Sequence, residues 1–206
     1  MIGRVVIAAA AGAAVYWYGW VDRPDGPPSL TRFDADRVAE LELAMWQAYY
    51  AKHKLRLFGL LVTLLREQHG YPRALAVRAA VHLARAAAIF GDARGGYERV
   101  LPDLERGFAV ARDFTGAGFD PARVARLELA WWVARRDPAA ADPENVGRRI
   151  AEMYAAYYGV PYATVAAAGR LRAEAGRLRD DGGAGADWPR VRELLRQAYR
   201  SLHAAL

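Results

Sequence analysis

The sequence predicts an all-α protein: an N-terminal membrane-anchor helix, then a six-helix bundle made of two pseudo-symmetric three-helix repeats. Three observations predict it. The stretch Phe33 to Trp46 recurs as Phe119 to Trp132, with ten of fourteen positions identical at a constant offset of 86. Apolar residues recur at helical spacing, and no stretch alternates as a half-buried strand does. The chain opens with an uncharged run from Val5 to Trp20.

That opening run, with Ile2 and Gly3, approaches the roughly 17 residues that span a bilayer. Tyr16, Trp17, Tyr18 and Trp20 gather at its far end, as rings do at a membrane interface. Arg4 precedes the run and Asp22, Arg23 and Asp25 follow it, so the positive-inside bias puts the remainder of the chain on the non-cytoplasmic face. Residues 1–20 are therefore expected to be a single-pass anchor in an inner or plasma membrane, with a cleaved signal peptide as the competing expectation. Residues 21–32 contain three prolines and a glycine and are expected to be a linker.

The helical domain is expected over 33–206, with repeat one at 33–114 and repeat two at 115–206. Asp34 precedes a long apolar pattern, and its copy Asp120 is followed by Pro121, so both aspartates read as N-caps. The first helix is expected to run unbroken from Ala35 to Gln68, ending at Gly70 and Pro72. Alanine-rich and shorter helices follow over 73–90 and 97–112. The second copy repeats the order over 121–136, continuing over 144–158, then 162–179 and 188–205. Gly159-Val160-Pro161 echoes Gly70-Tyr71-Pro72 at an offset of 89. In the last helices Trp188, Val191, Leu195 and Tyr199 align with Tyr97, Val100, Leu104 and Phe108 at 91.

Composition narrows the function. Of 206 residues, 54% are hydrophobic, enough for a core. The chain has no cysteine, which excludes disulfides, thiolate metal sites and cysteine nucleophiles. The net charge is +6, but Lys52 and Lys54 are the only lysines and the arginines are interspersed with acids, so no nucleic acid is expected as a partner. Membrane lipids are the expected partner of the first helix, and a protein partner in a membrane complex is the expected partner of the domain.

On a helical wheel Glu42 falls inside the apolar stripe of Val38, Met45, Trp46 and Tyr49, and Glu128 repeats this beside Val124, Trp131 and Trp132. Each repeat thus points one carboxylate inward. A buried carboxylate demands a partner or a role. Arg135, Arg37 and Arg123 are the candidate partners. The candidate pocket comprises Glu42, Glu128, Trp46, Trp132, Tyr49, Arg135 and His53, with Glu67, His69, Tyr157 and Tyr158 at matching helix ends. No Glu-x-x-His pair, His-Glu-x-x-His, phosphate loop or Gly-x-Ser-x-Gly occurs, so no metal site is expected and no cofactor or catalytic residue is assigned. His69 is expected to act as a cation at its helix end, and His82 as a core or boundary residue.

Three functions fit, and the first leads: a membrane-anchored interaction or accessory module. The alternatives are an apolar-ligand or lipid binder with an aromatic pocket, and an enzyme using the paired glutamates. An exposed apolar patch, a lined cavity, or two adjoining carboxylates with raised pKa values distinguish them.

Overall fold

The computed structural model describes residues 27–206, so the expected anchor over 1–20 and the first part of the linker lie outside the described residues. The described residues contain eight α-helices and no strand: α1 (Ala35–Tyr50), α2 (Lys54–His69), α3 (Arg73–Asp92), α4 (Leu101–Thr115), α5 (Pro121–Arg136), α6 (Pro143–Tyr158), α7 (Tyr162–Gly182) and α8 (Trp188–Ala204). A 3-10 turn, Tyr97–Val100, leads into α4, and another, Gly183–Gly185, follows α7.

Aspartates start four of these helices. The Asp34 carboxylate accepts from the amides of Asp36 and Arg37, Asp120 from Ala122, Asp142 from Asn145, and Asp187 from Arg190. Each satisfies amides that the helix leaves unpaired. Gly70 and Gly159 close α2 and α6 in the left-handed conformation, with φ of 69° and 70°, where a side chain would strain the backbone.

The helix count corrects the expected six. The unbroken helix over 35–68 is two helices, because Lys52 adopts φ 58° and turns the chain at Ala51-Lys52-His53. A left-handed lysine without glycine or proline beside it leaves no mark in the sequence. The turn lets α1 pack on α8 while α2 packs on α3. Its counterpart in the second half, where Asp137-Pro138 announces the break, separates α5 from α6.

Each helix packs on the next along the chain, and α8 packs back on α1, so the eight helices close into a ring. Residues 27–34 are not helical, yet Leu30 and Phe33 are buried in the main core, so the end of the expected linker is built into the domain. Two smaller cores flank the main one. Ala39, Leu43, Ala175, Val191 and Leu195 form one, between α1, α7 and α8. Ala125, Leu129, Ala86, Val100 and Leu104 form the other, between α3, α4 and α5. The second set is the first shifted by the offsets of 86, 89 and 91 seen in the sequence.

The two α-hairpins that face each other in this correspondence are packed unequally. Gly147 on α6 lies against Gly169 on α7, and a Cβ at Gly147 would come 2.7 Å from the Arg170 Cα. The first half has Phe58 and Ala80 there, and α2 buries only Leu65 and Gln68 fully. Among the described residues, α3 (Arg73–Asp92) alone is long and apolar enough to cross a membrane. Its Ala76, Ala79, Ala80, Ala86 and Phe90 are buried against the neighbouring helices and most of its other residues are not; a single helix of this composition also occurs in domains that do not span a membrane.

Candidate functional site

Glu42 and Glu128 both point into the ring, as the wheel indicates, but they meet different surroundings. Glu42 is 4% exposed. Its carboxylate accepts from Arg172 Nη2 at 2.6 Å and Nε at 3.2 Å, and from the Tyr199 hydroxyl. Arg172 comes from α7 and Tyr199 from α8, so this cluster fastens α1 to the last two helices and closes the ring. Burial opposes the Arg172 charge, but Glu42 and the neighbouring tyrosines hold its pKa well above the ordinary value. A charge-assisted fork in a dry setting behaves this way.

Glu128 has no such fork. Its two oxygens accept from the indole nitrogens of Trp131 and Trp132, both at 2.8 Å, on its own helix. Burial pushes its carboxyl pKa up, and Arg172 and the two indoles oppose that without cancelling it. The positions that correspond to Arg172 and Tyr199 in the first half are Leu83, at an offset of 89, and Phe108, at 91. Both line the same cavity as Glu128. The partners of the first glutamate are therefore replaced by hydrocarbon around the second.

The cavity has a volume of about 230 Å³. Glu128, Arg172, His69, Tyr154, Tyr157, Tyr158 and Tyr199 give it polar groups, and Phe33, Val38, Leu64, Leu83, Phe108 and Met153 give it an apolar body. Glu128 keeps some accessible surface deep in the ring because this cavity reaches it. Burial raises the Tyr154 pKa to about 12, and burial likewise raises Tyr157, Tyr158 and Tyr199, so all four stay protonated donors. His69 is not the cation expected from its helix end. Burial lowers its pKa to about 4, against a backbone hydrogen bond to Ser29, and the ring is neutral. Tyr157 and Tyr158 also border an open groove of about 600 Å³ beside Pro28, Ser29 and Leu30.

The other predicted residues divide. Trp46 lies under the Arg179 guanidinium, 4.0 Å from its ring centroid, in a smaller void of about 50 Å³ that Arg172 separates from the cavity. Trp132 meets Glu128 and packs edge-on against Phe90. Arg135 binds Asp180 at 3.0 Å, beside the Tyr50 hydroxyl, and does not reach either glutamate. Arg37 pairs with Glu67 on the surface. Tyr49 is 56% exposed and His53 is exposed at the start of α2, so neither belongs to the pocket. His53 would face inward only on one continuous helix, and the turn at Lys52 takes it out; Tyr49 sits on the last turn of α1, at the exposed end of that helix. His82 is half-buried and bonds Asp103 at 3.2 Å. No group of three or more His, Asp or Glu side chains that would hold a metal converges among the described residues.

Arg172, Tyr199 and Tyr154 carry no local mark of their place at the site. Arg172 lies in a helix studded with arginines, where solvent-facing and buried ones look alike. The signal lies in the offset: an arginine where the copy has Leu83 marks a charge that meets something inside. Comparison of the chain with protein-family models, with curated proteins and with solved structures gave no match.

Proposed function

We propose that this protein binds a small, largely apolar molecule in the central cavity of its helical ring, with Glu128 as the polar anchor. The observation that carries the proposal is the unequal treatment of the two glutamates. Glu42 is consumed by Arg172 and Tyr199. Glu128 is left at the edge of a cavity whose tyrosine- and phenylalanine-rich walls suit a ligand. A structural role alone gives no reason to retain a carboxylate there, since burying one without an ion partner is costly. Paired-carboxylate chemistry is less well supported, because one member of the pair is already neutralised.

The architecture belongs to the same proposal. We infer that the ring arose by duplication of a four-helix unit, α1–α4 and α5–α8, in which the cavity sits between the copies. The apolar N-terminal sequence tethers it to a membrane, with the ring on the non-cytoplasmic side. The matching offsets in the two flanking cores support the duplication, and the aromatic cluster of residues 16–20 supports the tether.

The test is a thermal-shift screen of the full chain in detergent against small amphiphiles. Ligands that raise the melting temperature in wild type should lose that effect in Leu83→Trp, which puts a larger side chain into the cavity that Leu83 lines. A screen without hits, or hits indifferent to Leu83→Trp, sinks the proposal. A second reading, docking of a protein partner, draws on Leu55, 90% exposed, with Tyr49 at the α1–α2 turn. Co-purification from membranes that is lost in Leu55→Ser would favour it.

A further inference from the structure

Resting on the ligand-binding proposal above, we infer that the ligand is an organic cation, a protonated amine with a short hydrocarbon body. The first argument is acceptor geometry. A carboxylate has about four lone-pair sites and no proton to give. The indoles of Trp131 and Trp132 each take one site, on opposite oxygens, and orient the group, favouring its ionised form against the effect of burial. What remains on Glu128 accepts only from a donor. A ligand carboxylate would have to share a proton with it.

The second argument is charge. Among the residues lining the cavity, Arg172 is the one with a permanent positive charge, and its Nε and Nη2 already serve Glu42. His69, the remaining basic side chain on that wall, is neutral at physiological pH. An ionised Glu128 therefore leaves the cavity one negative charge in excess, and a monovalent cation balances it. An ammonium group also restores, for Glu128, the kind of charge-assisted bond that Arg172 gives Glu42.

The third argument is the wall. Tyr154, Tyr157, Tyr158 and Phe108 line the cavity together with this carboxylate, and ring faces attract an ammonium group more strongly once it has lost water. Leu83 and Met153 accept the alkyl part. The small volume limits that part to a short chain or a single ring.

The experiment uses the full chain in detergent and three probes of equal chain length: hexylammonium, hexanoate and hexanol, titrated calorimetrically. Hexylammonium should bind at pH 7, and Glu128→Gln should weaken it by about tenfold or more, the worth of one charged hydrogen bond. Circular dichroism checks that the variant is folded. Wild type supplies a second measurement: hexylammonium affinity should fall in acid as Glu128 takes up a proton, while hexanol affinity should not. Tighter binding of hexanoate than hexylammonium overturns the inference, and so does amine binding that ignores both Glu128→Gln and acid. Binding of hexanol or hexanoate alone rejects the amine and leaves the cavity proposal standing. Failure of all three probes, with no response to Leu83→Trp, removes the cavity proposal and this inference with it.

Discussion

Glu42 and Glu128 occupy matching places in the sequence, 86 residues apart, and the structure treats them as opposites. Glu42 is locked by a guanidinium and a phenol from α7 and α8. Glu128 faces a cavity shared with Leu83 and Phe108, which hold the matching places on α3 and α4. On the proposed duplication, the two sites descend from an equivalent pair that diverged so that one closes the ring and the other stays open. A second contrast lies in the hairpins: α6 and α7 touch through Gly147 and Gly169, while α2 and α3 carry Phe58 and Ala80 at the matching places and pack on each other less extensively.

The largest expected effect tests the closed site. Glu42→Gln strands the Arg172 charge inside the ring and should cost about 3–5 kcal/mol of stability, measured by urea unfolding. Replacing both members, Glu42→Leu with Arg172→Leu, should recover most of that. Equal losses in the single and double variants would mean the fork is not what closes the ring.

The next effect is on pH. His69 and Tyr158 are matched at an offset of 89, and only the histidine titrates in mild acid. Its folded pKa of about 4 lies below the value of 6.5 for a free histidine, so the unfolded chain takes up the proton first. The stability this contributes is fully present above pH 6.5 and is lost as pH falls towards 4, roughly 3 kcal/mol in all. His69→Phe should flatten that part of the curve. Glu128 works in the other sense: its raised pKa favours the fold below the ordinary glutamate value and disfavours it as pH rises. A pH profile identical in His69→Phe and wild type would contradict this account of the buried ring.

Gly169→Ala tests the tight hairpin. The added methyl would press into the Gly147 carbonyl oxygen and lie 2.9 Å from the Ala151 Cβ, and should cost about 3 kcal/mol. The matching residue in the first half is already alanine, so Ala80→Gly should loosen α3 by less, about 1 kcal/mol. If the two changes weigh the same, the hairpins are not packed differently.

The smallest effect is the most telling. Glu128→Gln should change stability by about 1 kcal/mol or less, because it exchanges one indole bond for the removal of a buried charge. A loss as large as that of Glu42→Gln would make Glu128 a second structural lock and leave the cavity without its anchor.

Much of this was legible in the chain. The duplicated segment, the aspartate caps, the glycine stops and the inward glutamates are local signals, and each stands where its residues place it. The turn at Lys52 was not legible, because a lysine in a left-handed conformation owes its place to tertiary packing. Arg172 was hidden for the same reason: nothing local distinguishes it from Arg170 or Arg177, which pair with acids on the surface. The offset between copies carried what periodicity could not. It shows which matched positions have changed character, and three of those, Leu83 against Arg172, Phe108 against Tyr199 and His69 against Tyr158, line the cavity.

The seam between α1 and α8 has one more consequence. Phe33, where the first helix begins, touches His203 near the end of the last, with ring centroids 5.0 Å apart. The first and last described helices therefore meet at their outer ends, as they must in a closed circle of helices. The peptide link between α4 and α5, at Gly116 to Gly118, is then topologically equivalent to the gap between the ends. A gene cut at that link and rejoined through the old termini would encode the same circle started from its other half. Two molecules whose α4–α5 links extended instead of folding back would complete each other's circles, each lending the other the wall that faces its own glutamate.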